Sequence, residues 1–331
     1  MSEAASISAE DSESLTDGKR RRRNRSIRDA VCTSLASKAS SAVLQFISLP
    51  LAARVMGREE FGIYATVSTA ILAVHLMQFG IGPALAKGIS MAAAKDDHDR
   101  ESRLFISGGV LALGLVILGL LLFGAVIEFV PITALFGERY APFVPQMTSA
   151  LWTGAFLVAG QIMVGNIDRA REGYMEAALV NGWGAGGNLV AALIVFTLVE
   201  KFPSVPFLLM AIFLPNILAR LLNLGALLKV RPYLIRGKAC LATMKDLFRD
   251  GLSFSATLFV VYVVEYGLCA LLVGRALGPG EVAVFQVLMS LTTAYVGLLT
   301  MVGTPLWAAL VDARARSDHD WMVSTTRRYY R

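Results

Sequence analysis

The chain has 331 residues, of which 55% are hydrophobic and only 17% are charged, and its mean hydropathy is +0.59. A soluble domain carries about 25% charged residues, so this composition excludes an ordinary soluble enzyme or binding module and indicates a polytopic membrane protein. The formal net charge of +6 does not indicate nucleic-acid binding, because the basic residues lie where membrane topology would place them.

The first 30 residues are predicted to form a basic cytoplasmic tail. They are mostly polar and contain the run Lys19–Arg23, in which every residue is basic. A secretory signal peptide would place its charge before a short apolar core and a cleavage site, and this tail has neither. We therefore treat residues 1–30 as a segment that precedes the membrane bundle.

Eight apolar segments follow the tail, each close to the ~20 residues that a helix needs to cross a bilayer. We expect spans at about 31–53, 61–83, 104–127, 143–164, 177–199, 206–228, 252–273 and 282–311. Of the 31 Lys and Arg residues, 24 lie in the tail, in the even-numbered loops or after the last span, and five lie in the odd-numbered loops. Because cytoplasmic loops carry the excess of basic residues, both termini are predicted to be cytoplasmic.

The first span carries a polar stripe. Ser34, Lys38, Ser41, Gln45 and Ser48 are separated by steps of three or four residues, which places all of them on one face of a helix. A lipid-facing helix would not tolerate such a stripe. We therefore expect this face to contact protein or a water-filled cavity.

The loop after the first span recurs 221 residues later in the chain. The matching loop positions are Arg54 with Arg275, Gly57 with Gly278, Glu60 with Glu281, and Tyr64 with Phe285. The matching stripe positions are Ser34 with Ser255, Ser41 with Tyr262, Gln45 with Tyr266, and Ser48 with Cys269, whereas Lys38 matches Phe259. We interpret the pattern as an internal duplication, with a six-helix N-lobe at 31–250 and the first two helices of a C-lobe at 251–331. The helix pairs Val31–Pro83 and Leu252–Pro305 are expected to superpose about an axis along the membrane normal.

Three other spans have distinctive compositions. Span three, around Leu111–Phe123, is apolar on every side and is predicted to lie at the lipid periphery. Span five carries four glycines between positions 182 and 187, which favours close helix packing over ligand binding. Pro215 and Asn216 interrupt span six, as either a hinge or a static kink.

Four ionisable residues within the spans are candidates for function. Lys38 could meet an anionic substrate in a cavity or extend its long side chain to the cytoplasmic interface, and Arg220 leaves the same two possibilities open. His75 could carry a coupling proton or make a structural hydrogen bond. Glu265 lies near the middle of span seven, where a carboxylate must be protonated, paired or hydrated, so it is the best candidate for coupling to an ion.

No catalytic or cofactor-binding pattern occurs in the sequence. The three histidines are far apart, the three cysteines lack metal or redox spacing, and nucleotide, zinc and hydrolase motifs are absent. We therefore expect a protein that is not an enzyme and that uses no cofactor or metal. A duplicated helical bundle with polar cavity faces favours transport.

Two stretches near the start of the bundle resemble a known family. The segments LAARVMGREEFGIY at Leu51–Tyr64 and FGIGPAL at Phe79–Leu85 are very similar to the first two helices of Wzx-type polysaccharide flippases. Pro305–Trp307, with Asp312 and Asp318, resembles the eighth helix of that family and the loop after it. These flippases belong to the multidrug/oligosaccharidyl-lipid/polysaccharide (MOP) exporter superfamily.

The resemblance implies an all-α integral membrane protein of MATE/MOP-like fold, in the bacterial inner membrane, whose lobes face a central cavity. It implies transport of an undecaprenyl-diphosphate-linked oligosaccharide by alternating access, for polysaccharide biosynthesis. Membrane lipids and polysaccharide-assembly proteins are the implied partners, and nucleic acid is not. Lys38 and then Arg220 are expected to meet the diphosphate, with Ser41 and Gln45 beside them.

Two other interpretations stay open. A cation-coupled multidrug exporter would share the fold, although cationic drugs favour acidic cavity residues and Lys38 is basic. Members of the flippase family carry twelve or more spans, whereas eight are predicted here. The chain could therefore be a truncated product or a non-transporting membrane fragment, or a partner in a polysaccharide-assembly complex.

Overall fold

The computed structural model describes residues 29, 32–76, 80–262, 268–293, 295–296 and 319–329 of the chain. Every regular element within these residues is a helix. Helices satisfy their own backbone hydrogen bonds, so long apolar segments can adopt them inside a bilayer without unpaired polar groups. The predicted all-α class is confirmed.

The helices are numbered in chain order. They are α1 (Cys32–Met56), α2 (Arg58–Leu76), α3 (Ile81–Ala93), α4 (His98–Phe129), α5 (Ile132–Phe136), α6 (Val144–Gly173), α7 (Ala177–Leu198), α8 (Val205–Val230), α9 (Leu241–Tyr262), α10 (Cys269–Leu277), α11 (279–293) and α12 (His319–Tyr329). Short 3-10 turns at Glu138–Phe143 and Pro232–Ile235 precede α6 and α9.

Five helical segments among the described residues are long and apolar enough to cross a membrane. They are α1, α4, α7, α8 and the segment Glu138–Gly173, which includes α6. The predicted second span corresponds to α2 and the start of α3, the seventh to α9 and α10, and the eighth begins in α11. These three predicted spans all include residues outside the described part of the chain.

The junction between α1 and α2 has the same backbone geometry as its predicted repeat. Gly57 ends α1 with φ of 84° and ψ of 169°, and Gly278 ends α10 with φ of 95° and ψ of 177°. A positive φ of this size strains a residue that has a Cβ, which explains glycine at both positions. The geometry agrees with the proposed duplication, and superposition of the two whole helix pairs stays a prediction.

Helix α6 lies at the centre of the bundle, in contact with α2, α3, α4 and α8. In its most apolar stretch 61% of the residues are buried, whereas the corresponding share for α4 is 17%. Helix α4 buries the small face of Ala112 and Val116 and exposes larger side chains such as Leu121, which is 67% exposed. This exposed apolar face agrees with the prediction that span three faces lipid, which stays a prediction.

Helices α7 and α8 approach each other closely, and one glycine of the predicted set explains why. A Cβ on Gly187 would lie 2.6 Å from Oδ1 of Asn216, whereas Gly182, Gly184 and Gly186 have open space beside them. The predicted packing role is thus confirmed for Gly187. Pro215 lies inside the continuous helix α8, and the Asn216 side chain donates to the Ile212 carbonyl at 3.1 Å.

The bundle has two ends of different chemistry. The end that carries Gly57, the 131–143 segment and Gly278 is called the distal end here. The other end, called the basic end, is where α3 meets α4, α6 meets α7, and α8 meets α9. Most of the basic residues in the described loops lie at the basic end, so it is the predicted cytoplasmic side.

A buried polar network joins the helices at the basic end. Glu101 is 1% exposed, and its Oε2 accepts hydrogen bonds from the hydroxyls of Tyr174 at 2.5 Å and Tyr233 at 2.7 Å. The guanidinium of Arg231 stacks 3.8 Å from the centre of the Tyr174 ring. Burial, and then the hydrogen bond to Glu101, hold the pKa of Tyr174 well above its usual value.

The sequence placed Asp168, Arg169 and Arg171 in a loop after span four, and this is wrong. Helix α6 continues to Gly173, so all three lie in its last turns. The buried Arg171 donates to Asn223 at 2.5 Å and to Glu176 at 2.6 Å. These partners compensate its charge, so the helix can extend past the apolar stretch.

Candidate substrate cavity

An uncharged cavity of about 270 Å³ opens between α1, α2, α8 and α11. The cavity therefore lies between the predicted N-lobe and the first described helices of the predicted C-lobe. Its walls are formed by Leu44, Gln45, Leu49, Tyr64, Ser68, Thr69, Ile212, Phe285, Gln286, Met289, Ser290 and Thr293.

Residues that match under the 221-residue offset line the cavity from both lobes. Tyr64 on α2 corresponds to Phe285 on α11, and Thr69 corresponds to Ser290. The lining thus combines equivalent faces of two equivalent helices. This is the arrangement expected when a binding site forms at the interface between structural repeats.

The lining is uncharged and mixes polar with apolar side chains. It provides two amides, Gln45 and Gln286, four hydroxyls on serine and threonine, and the rings of Tyr64 and Phe285, and none of its residues is acidic or basic. The Ser68 hydroxyl is buried without a hydrogen bond of standard geometry to any described residue, although Tyr64 lies one turn away. Amides, hydroxyls and ring faces are suited to a neutral, hydroxyl-rich ligand.

The predicted stripe of α1 divides between this cavity and α7. Gln45 lines the cavity, whereas Ser41 Oγ accepts a 2.9 Å hydrogen bond from Asn188 on α7 and Ser48 donates to the Ala192 carbonyl at 3.4 Å. Gln45 lines the cavity and therefore stays a candidate for contact with the substrate. Ser41 is engaged in helix packing, and its assignment to the substrate stays a prediction.

Lys38 is exposed and has no ion pair or hydrogen bond to any described residue. It precedes Gln45 by seven residues on α1, which places it about 10 Å nearer the basic end. Its contact with an anion stays a prediction.

Arg220 is already paired. Its Nε lies 2.6 Å from Oδ2 of Asp168, with the two side chains 26% and 13% exposed. A guanidinium that is compensated by a carboxylate has less charge to offer a diphosphate, so this pair favours a structural role linking α6 to α8. The predicted contact of Arg220 with substrate is not tested by this geometry.

The two candidates for ion coupling cannot be placed in the site. Glu265 lies outside the described residues, and so does the side chain of His75, although the backbone of His75 belongs to α2. Within the described part of the chain, no group of three His, Cys, Asp or Glu side chains could hold a metal ion.

The two predicted lobes contact each other at the distal end. Arg58 pairs with Glu281 at 2.6 Å and donates to the Gly280 carbonyl at 3.1 Å. Arg139 donates to the Leu277 carbonyl at 2.8 Å, and Arg275 donates to the Ala134 carbonyl at 3.1 Å. Three arginines thus link the predicted lobes at this end.

The amino-acid sequence as a whole matches one protein family. The profile of the family described as polysaccharide biosynthesis protein matches residues 27–309, which include all the cavity-lining residues and the distal contacts. The chain belongs to this family. A search of curated proteins finds no match.

Solved structures show the fold of this polysaccharide biosynthesis family member. A MOP superfamily transporter from Pyrococcus furiosus, reported with a binding pocket of reverse polarity, matches with a TM-score of 0.66 and 13% identity over 91% of this chain. A multidrug resistance MATE family transporter of the MOP superfamily, in an outward-facing conformation, matches with a TM-score of 0.67, also at 13% identity over 91%. The family member spans 67% of the length of each.

A third match is a MATE crystal structure in complex with Br-NRF, with a TM-score of 0.54 and 15% identity over 90% of this chain and 71% of that one. Identities of this size establish the fold alone. The family member therefore has the MATE/MOP-like fold, and the predicted family is confirmed.

Of the twelve residues that line the cavity, sequence reasoning identified only Gln45 as a site residue. Gln286, Ser290 and Thr293 follow one another at steps of four and three residues on α11. These are the steps that revealed the stripe of the first span, so the same rule applied to the eighth span would have found them. Tyr64 and Phe285 were recognised as matching positions of the repeat, but they were not identified as cavity residues.

Proposed function

We propose that this protein moves a lipid-linked oligosaccharide across the bacterial inner membrane by alternating access, with both termini in the cytoplasm. The observation that carries the proposal is the uncharged, amide- and hydroxyl-lined cavity between repeat-equivalent helices. Sugars are recognised by hydrogen bonds to amides and hydroxyls and by contact with ring faces, and the lining of the cavity supplies all three.

The family match supports a substrate from polysaccharide biosynthesis. An undecaprenyl diphosphate would bring its negative charge to one end of the cavity and its sugar into it. Lys38, which is exposed on α1, is the proposed partner of the diphosphate. A cation attracts an anion more strongly at the edge of a low-dielectric cavity than in bulk water.

The second candidate is a cation-coupled multidrug exporter. A cationic drug is best bound by an acidic side chain, and no Asp or Glu occurs among the cavity-lining residues that the structure describes. The described lining therefore favours the saccharide carrier.

Transport is tested with the purified chain in liposomes that contain a fluorescent undecaprenyl-diphosphate oligosaccharide. A membrane-impermeant quencher reports how fast the sugar reaches the outer leaflet. We expect the chain to accelerate this exchange above the rate of protein-free liposomes. If it does not, the chain alone does not carry this substrate, and export of a cationic dye without saccharide exchange would favour the exporter.

Lys38 is tested in the same assay with two substitutions and a control. Lys38→Ala should abolish exchange, and Lys38→Arg should keep part of it because the charge survives while the donor geometry changes. The control is Lys245→Ala, since Lys245 is exposed and lies outside the cavity lining. Normal exchange by Lys38→Ala would remove the diphosphate assignment and leave the transport proposal standing.

A further inference from the structure

A second, larger cleft lies at the basic end, away from the substrate cavity. It measures about 590 Å³ and opens between α3, the start of α4 and the first turns of α9. Four of its lining residues are basic, Lys87, Arg100, Arg103 and Arg249, and three are acidic, Asp97, Asp246 and Asp250.

Each of the three carboxylates already has a partner. Asp97 caps α4 by accepting from the backbone N–H of Arg100 at 2.9 Å, and Asp250 pairs with Lys87 at 3.3 Å. Asp246 lies 3.5 Å from Arg249, one turn further along α9. Two of the three carboxylates are therefore paired with cations of the cleft, and the basic side chains of the lining exceed the acidic ones by one.

The remaining cations are Arg100 and Arg103. Both are exposed, and neither forms an ion pair with any described residue. Their spacing of three residues on α4 places the two guanidinium groups on the same side of the helix, about 5–6 Å apart at their Cβ atoms. Two forked donors at this separation suit the several oxygens of one phosphate group.

The first turns of α4 are also held in place. A Cβ on Gly237 would lie 2.9 Å from the backbone nitrogen of Arg103, so the 236–240 loop packs directly on the helix there. Ser102 donates to the Leu234 carbonyl at 3.0 Å. The backbone that carries both arginines is thus fixed before any ligand arrives.

The cleft lies at the depth of lipid headgroups. Val110, a 44% exposed apolar side chain of α4, follows Arg103 by seven residues, or about 10 Å along the axis. The headgroup zone adds several ångströms to each side of the hydrocarbon core of a bilayer. Met91 lines the cleft and is 48% exposed, which leaves an apolar contact beside the charged groups.

We propose that this cleft is a binding site for a phosphate-bearing anion, held by Arg100 and Arg103, of the kind that the headgroup of an anionic phospholipid supplies. A phosphate bound between these arginines would touch α4 and reach towards α3 and α9, whose Lys87–Asp250 pair spans the cleft. Occupancy would therefore stabilise the junction between the N-lobe and α9. The proposal does not depend on which substrate the central cavity carries.

The test uses the full chain purified in a neutral detergent and follows its thermal unfolding by tryptophan fluorescence. The probes are dioctanoyl phosphatidylglycerol, dioctanoyl phosphatidylcholine and inorganic pyrophosphate, each titrated separately. We expect phosphatidylglycerol to raise the unfolding midpoint with saturation and phosphatidylcholine to have little effect. Equal saturation by pyrophosphate at the same concentrations would assign the site to a soluble phosphate instead of a lipid.

The variants decide whether the cleft is the site. Arg100→Gln with Arg103→Gln should weaken the apparent affinity for phosphatidylglycerol at least about tenfold, because each lost arginine removes charge-assisted hydrogen bonds. Arg54→Gln with Lys201→Gln removes the same charge from exposed positions outside the cleft and should change the affinity less than about twofold.

Equal affinities for the two double variants would overturn the proposal, as would equal effects of the two lipids on the native chain. If the arginine double variant unfolds without added lipid, Arg100→Lys and Arg103→Lys replace it. Each of these lysine variants keeps the positive charge and loses the forked donor geometry of arginine. An unchanged affinity for phosphatidylglycerol in both variants would also overturn the proposal.

Discussion

Gly62 on α2 is the position where the two lobes approach most closely at the distal end. A Cβ built on it would overlap the carbonyl group of Pro279 and lie 3.1 Å from its Cα. The obstructing atoms are backbone, so no side-chain rotation can make room. Gly62→Ala therefore forces either the start of α11 or α2 itself to move by about 1 Å.

The energies indicate which response is cheaper. Alanine in a helix interior gains about 1 kcal/mol over glycine, and forced overpacking costs about 1–3 kcal/mol. Opening the contact would release the Arg58–Glu281 pair, whose side chains are 59% and 44% exposed. Such a pair contributes about 0.2–1 kcal/mol, and the hydrogen bond from Arg58 to Gly280 about 1 kcal/mol. We therefore expect Gly62→Ala to open the distal end while the protein stays folded.

The assay is a distance measurement between spin labels on cysteines at Glu59 and Val284, in a chain whose three native cysteines are replaced by serine. Gly62→Ala should lengthen and broaden the distance distribution by several ångströms and shift the unfolding midpoint only slightly. Gly182→Ala on α7 is the matched control, because a Cβ there meets nothing within 4 Å. An unchanged distribution in Gly62→Ala would show that the lobes do not meet at Pro279.

Two further predictions concern the basic end and the topology. Tyr174→Phe should lower the unfolding midpoint at pH 8, and the difference from the native chain should narrow above about pH 10, where an unfolded tyrosine ionises. The pKa of Tyr174 is higher in the folded protein than in the unfolded chain. The stability that the Tyr174 hydroxyl contributes is therefore complete at pH values below the unfolded-state pKa, and it is lost as the pH rises above that pKa. A difference in unfolding midpoint that stays constant from pH 8 to above about pH 10 would contradict the stabilising role of the Tyr174 hydroxyl. Reporter fusions after Arg331 and beside Arg139 should report opposite sides of the membrane, and signals from the same side would refute the eight-span topology.

The membrane bundle could be read from the sequence because it depends on long apolar segments, whereas the family was identified from the short stretches Leu51–Tyr64 and Phe79–Leu85. A helix that crosses lipid needs about 20 apolar residues, and this requirement fixes most spans without any knowledge of contacts. Boundaries were less accurate where charges have distant partners. Helix α6 runs on through Arg171 because Asn223 and Glu176 receive its guanidinium, and a single sequence does not show that pairing.

The polar stripe of α1 was predicted as one face, but its members contact different surfaces. A π-helical turn at Leu44–Ser48 lies within this stripe. Such a turn holds an extra residue, so it rotates the residues that follow relative to an ideal α-helix, and counting in steps of three and four fails there. Similarly, the partner of Arg220 is Asp168, 52 positions earlier in the chain, so only the folded structure shows that its charge is compensated.

The arginines of the distal end bind main-chain atoms more often than side chains. Arg58, Arg139 and Arg275 donate to the carbonyls of Gly280, Leu277 and Ala134. A carbonyl oxygen is present whatever amino acid occupies the position, so mutation of Leu277 or Ala134 would leave the acceptor in place. In a saturation mutagenesis experiment, the three arginines should therefore be intolerant of change while Leu277 and Ala134 accept many residues. Methods that infer contacts from paired substitutions would accordingly find little signal at these two contacts between the lobes.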